Sequence, residues 1–158
     1  MVIQRWQSLL LLVAAVMMGC FTFCSLGQIQ TPDYTFEFTS LGFAYEGEAT
    51  DGAPTGMFLS TWYFFALSLT TTILLFLDIF LFKNLPLQKR VCLVSVLMII
   101  ASWATSYGLG SNAIEGATAV DWNSLSFIAP IFAVVAAILA YYRMKADESK
   151  LKAADRIR

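Results

Sequence analysis

Histidine is missing from this sequence of 158 residues, and charged side chains make up only 13% of it. The first absence removes the usual haem and zinc ligand, and with it the usual proton shuttle near neutral pH. The second leaves well under the charge of an average soluble domain, about 25%. With 58% hydrophobic residues, 15% aromatics and a mean hydropathy of +0.69, too little polar surface remains to cover a water-soluble globule. No Gly-rich phosphate loop, Ser-His-Asp set, Cys-x-x-Cys pair or His cluster is present, so no motif names a reaction or a ligand. No cofactor and no nucleic-acid partner is expected. The sequence has only three cysteines. Cys20 and Cys24 share a helix face, where a disulfide would strain a regular helix, and Cys92 lies far from both. Small buried apolar residues are the plainer reading.

Basic residues are missing from two long stretches. All ten lie at Arg5, in the short segment holding Lys83, Lys89 and Arg90, or in the tail from Arg143 to Arg158. The polar segments inside the two gaps carry seven of the eleven acids. By the positive-inside rule both termini and the 83–90 turn belong to the cytoplasm.

What the chain does have is apolar runs. Residues 57–82 are 26 apolar or weakly polar residues interrupted only by Asp78. At about 1.5 Å of rise per residue this exceeds a hydrocarbon core of about 30 Å. Four spans are expected, at about residues 7–26, 57–82, 91–109 and 125–142. They make a single all-α membrane domain, an antiparallel four-helix transmembrane bundle. Outer loops fall at 27–56 and 110–124, and a basic, helix-compatible tail at 143–158. Ala15 and Gly19, the Ser102–Ser106–Gly110 series, and Ala129, Ala133 and Ala137 give small faces for close helix approach. Ser68, Thr70, Thr71 and Thr72 make a hydroxyl-rich centre in the second span, where hydroxyls bond back to the preceding turn. Met17-Met18-Gly19-Cys20 has some likeness to a lipoprotein signal ending at Cys20. The apolar run continues past that cysteine, which favours an intact first span.

The first outer loop alternates. Tyr34, Phe36 and Phe38 interleave with Thr35, Glu37 and Thr39, and after Gly42, Phe43 and Tyr45 interleave with Ala44, Glu46 and Glu48. That is strand periodicity with one apolar face, hence a periplasmic β-hairpin or sheet cap. An isolated hairpin is marginal in water. Residues 117–122, with Thr118, Val120 and Trp122 on one side, offer a third strand.

Asp78 is the one ionisable residue inside a span, and such residues are functional hypotheses by default. Its place about 6 Å below the inner boundary, by helical rise, offers a plainer role: pairing with Lys83, Arg90 or Arg5, or reaching head-group water. The acids Asp33, Glu46, Glu48 and Asp51 could gather around a cation, although their spacing matches no calcium loop.

Three short segments resemble one family. Ile3-Gln4-Arg5-Trp6-Gln7-Ser8 with Leu9–Ala15 resembles the opening of an uncharacterised family of four-span membrane proteins from the Bacteroidota. Ile79–Asn84 with Leu87–Cys92 resembles its central turn, and Asp147-Glu148, Leu151 and Asp155–Arg158 its ending. The resemblance implies a bacterial inner membrane and, the family being a domain of unknown function, supplies no activity. Claudin-type proteins share the four-span, strand-capped plan, but their Trp…Gly-Leu-Trp…Cys…Cys signature is missing, so the likeness is architectural analogy. The expectation is therefore a non-enzymatic accessory or scaffold subunit in contact with the bilayer and with a membrane-protein partner or its own copies. The alternative is a small transporter or ion-coupled channel using Asp78.

Overall fold

The computed structural model describes residues 2–46 and 56–155. Four long helices account for most of them: α1 (Val2–Phe23), α2 (Trp62–Phe80), α3 (Leu85–Asn112) and α4 (Ser124–Asp155). Each is long and apolar enough to cross a membrane. α1 packs against α2 and α4, and α3 against the same two, so helix contacts run round a closed circuit.

The inner faces follow the small-residue pattern of the sequence. Ala129, Ala133, Ala136, Ala137 and Ala140 on α4 are buried, as are Ala14 and Ala15 on α1. Small side chains let backbones approach without a hydrophobic driving force between helices. The outer faces carry exposed Leu12 and Val16 on α1, Ile73 and Phe76 on α2, Leu93 and Leu97 on α3, and Phe132 and Val135 on α4. At most 39% of any candidate span is buried, so most of its apolar surface faces outward. Helices with apolar outward faces suit lipid, not water.

Between the helix ends lies an antiparallel five-stranded sheet in the order β4-β3-β2-β1-β5. The strands are β1 (Gly27–Gln30), β2 (Thr35–Thr39), β3 (Gly42–Glu46), β4 (Met57–Ser60) and β5 (Ala119–Trp122). The expected hairpin is the β2–β3 pair, with Phe36 opposite Tyr45 and Phe38 opposite Phe43. Residues 117–122 contribute a strand too, but it joins β1 at the far edge and not the hairpin itself. Phe36, Phe38 and Phe43 are buried. Phe38 stacks on Phe43 at 4.5 Å and lies 6.3 Å from Phe64 of α2. Phe64 in turn meets Phe21 of α1 edge-on at 5.9 Å. The aromatic face of the sheet thus rests on the helices, which answers the marginality of a lone hairpin.

Several boundaries differ from expectation. The 57–82 run is not one helix: Met57–Ser60 is an edge strand and the helix starts at Trp62. A continuous apolar run carries no period that separates strand from helix. The break is made by long-range bonds, Thr61 N–H donating to Leu41 O at 2.8 Å and Thr61 Oγ1 to Ser40 O at 3.2 Å. The first helix stops at Phe23, and Leu26 N–H already bonds Phe38 O at 2.8 Å in the sheet. The 83–90 turn is shorter than expected, a 3-10 turn at Leu81–Lys83 followed by Asn84. Pro86 sits at the start of α3, where its missing N–H costs nothing. α3 runs on to Asn112, and α4 passes through Pro130 and into the basic tail without a break.

Candidate functional site

The buried positions of α2 and α3 follow a spacing of three and four, and they are unusually polar. On α2 they include Ser68, Thr71 and Asp78; on α3, Gln88, Cys92, Ser95, Ser102 and Ser106. The buried faces of α1 and α4 are mainly apolar or alanine. A polar seam therefore runs inside one half of the helix circuit.

Most of the seam is satisfied locally. Thr71 Oγ1 donates to Leu67 O at 2.8 Å, Ser68 Oγ to Phe65 O at 3.1 Å, Ser102 Oγ to Met98 O at 2.8 Å and Ser106 Oγ to Trp103 O at 2.7 Å. Thr70 and Thr72 also bond back four residues. These hydroxyls do what hydroxyls in helices ordinarily do, as expected.

The end of the seam near the 3-10 turn is different. Asp78 is fully buried, and neither carboxylate oxygen has a hydrogen-bond partner. Gln88, one turn into α3 and also fully buried, donates from Nε2 to the backbone oxygen of Asp78 at 3.0 Å. Its Oε1 is unpartnered, and so is the Oγ of Ser95, seven residues further along the same face. Cys92, between them, points its thiol at Ala137 O on α4, 3.4 Å away. Asp78 therefore does not reach the surface, as a snorkelling acid would. Of its expected partners, Arg90 is exposed, and the side chains of Arg5 and Lys83 lie outside the described residues. Lys89, on the first turns of α3, pairs instead with Glu148 of α4.

Gln88 was hidden from sequence reasoning because the 83–90 segment reads as a turn. The Gln88–Cys92–Ser95 spacing, continuing into Ile99, Ser102 and Ser106, was the available signal that helix begins earlier. A second missed residue is Gln7, nearly fully buried, which donates to Asp147 of α4. α4 is thereby tied to α1 and α3 past the end of the expected fourth span, so the start of the tail is docked rather than solvated. The i,i+3 pair Lys150–Asp147 is present at 3.9 Å.

The two described acids of the expected cation cluster, Asp33 and Glu46, are engaged separately. Asp33 is exposed, Glu46 accepts a bond from Gln28 Nε2 at 2.7 Å, and Glu48 and Asp51 lie outside the described residues. Among the described residues no three His, Cys, Asp or Glu side chains gather as metal ligands would. Gln28 stands between Glu37 and Asp121 in the sheet register, and this row lines an open polar hollow of about 320 Å³. The three thiols are free; Cys92 is buried, Cys20 half-buried and Cys24 exposed.

The model of the family described as Domain of unknown function (DUF4293) matches residues 3–157. The chain belongs to this family. The resemblance seen in its opening, central turn and ending is borne out at that level, a DUF4293 domain over nearly the whole length. No curated protein matches the chain.

Proposed function

We propose that this DUF4293 chain is a multi-pass protein of a bacterial inner membrane, an antiparallel four-helix bundle with both ends in the cytoplasm and its sheet in the periplasm. It acts without catalysis, as an accessory or scaffold subunit of a membrane complex. One observation carries the reading: polar character is split between two ends joined by helices that are apolar outside. In the sequence every base lies at or beyond the ends of the expected spans, at the start, in the 83–90 segment or in the tail, and the segments from which the sheet is built carry seven acids and no base. Such a molecule offers an acidic outer face and a basic inner face to partners, with lipid between. Co-purification in mild detergent tests this. A reproducible membrane-protein partner, or a defined oligomer of the chain, is expected; a strictly monomeric, partner-free protein would sink it.

A second reading, an ion-coupled carrier or channel, is favoured by the buried and unpartnered carboxylate of Asp78. Intramembrane acids with no structural partner characteristically mark ion or proton pathways. In vesicles, Asp78→Asn should then abolish flux, and an unchanged flux would end this reading.

A further inference from the structure

A charge buried without counter-charge or hydrogen bonds is among the most expensive groups a protein can hold. Among the described residues an ionised Asp78 is such a group, with two free carboxylate oxygens, and Gln88, bonded to its backbone, has a third free oxygen. The carboxamide is fixed beside Asp78 by its bond to that residue's backbone, and its Oε1 is buried without a partner. The described cations are turned elsewhere, Lys89 to Glu148 and Arg90 to the exterior. The free donors are thus all hard oxygens carrying one negative charge between them.

We propose that Asp78 and Gln88 form a binding site for one monovalent metal cation of the Na⁺ class, at the inner end of the α2–α3 seam. Hard oxygen donors select alkali and alkaline-earth ions over softer metals. Charge balance selects one positive charge, since a divalent ion would leave an unbalanced charge among apolar helices. A proton on the carboxylate would bring one donor for three free oxygens, whereas a metal ion takes several oxygen donors at once. Ser95 extends the polar line about 10 Å deeper by helical rise, beyond the first set of donors, and its free hydroxyl is the next polar stop along α3. The site deepens the ion-coupled reading but does not require transport: cation binding without flux would end that reading and leave the site intact.

The test is thermal unfolding of the purified full chain in detergent, titrated with NaCl, LiCl or KCl against choline chloride at constant ionic strength and at several pH values. The wild type should gain a saturable rise in Tm with at least one alkali ion, of about 3 to 6 °C at ten times the dissociation constant. Asp78→Asn should lose the response, and in choline it should melt above the wild type, because it no longer buries an uncompensated charge. Gln88→Leu, which keeps the acid, should need several-fold more cation for the same shift. No alkali-ion response in the wild type, or an equal response in Asp78→Asn, would overturn the site. Stabilisation by acidification alone, with no cation dependence, would make the occupant a proton and overturn it too.

Discussion

Gly42 shows how tightly single residues hold the sheet to the helices. Its φ of +152° lies in a region that L side chains rarely adopt, and a Cβ there would stand 2.1 Å from Leu59 O on β4. The neighbouring Ser40 hydroxyl donates to Thr22 O at 2.5 Å, so the same turn is tied to the end of α1. Gly42→Ala should therefore lift β4 from β3 and cost about 1 to 3 kcal/mol, read as a lower Tm in detergent; an unchanged Tm would show that β4 is not held there. Trp122 is the corresponding joint at the other edge. Its ring lies 4.4 Å from Phe127 of α4 and 6.1 Å from Tyr107 of α3, over Gly110, where an added Cβ would meet it at 2.3 Å. The periodicity of residues 117–122 showed a strand. That its tryptophan needs a glycine twelve residues earlier is a three-dimensional fact with no local signature.

At the scale of elements, the helices carry two kinds of face, and the alanines of α4 separate them. Ala137 is fully buried, and its carbonyl oxygen accepts from the Cys92 thiol of α3. Val135, two residues earlier, is 52% exposed. Ala137→Leu should push α4 away from the helices it packs on and cost about 1 to 3 kcal/mol, while Val135→Leu should leave stability nearly unchanged. Unfolding of the two variants in the same detergent checks this; equal effects would contradict the assigned faces. These helices were legible because four-residue spacing of small side chains is itself the packing rule. The ends were less legible. Met57–Ser60 escaped because a short strand without alternation looks like the continuation of a span, and β1 because its alternation lasts only four residues at the end of an apolar run. Gln88 escaped because Pro86 and a run of charges imitate a turn, whereas proline is welcome in the first turn of a helix. The candidate site was half visible: Asp78 stood out as an acid in a span, but its burial and its pairing with Gln88 depend on where α3 begins.

For the whole molecule, the account rests on one spatial claim: the sheet and the basic helix ends lie on opposite sides of a membrane. The sheet is built from both acidic segments, β1–β4 from residues 27–60 and β5 from 119–122, which the chain can bring together only if the helices between them go out and back. The Gln7–Asp147 and Lys89–Glu148 contacts gather three helices at the other end. Because lipid, not water, covers the apolar flanks in this reading, neither face can be reached from the other. The most direct measurement is labelling with a membrane-impermeant maleimide in sealed right-side-out vesicles, after Cys20, Cys24 and Cys92 are replaced by serine or alanine. Asp121→Cys, on the exposed side of β5, should react at once, and Ser149→Cys, exposed on α4, only after the vesicles are opened. Reaction of both from the same side, or of Ser149→Cys alone before opening, would contradict the account.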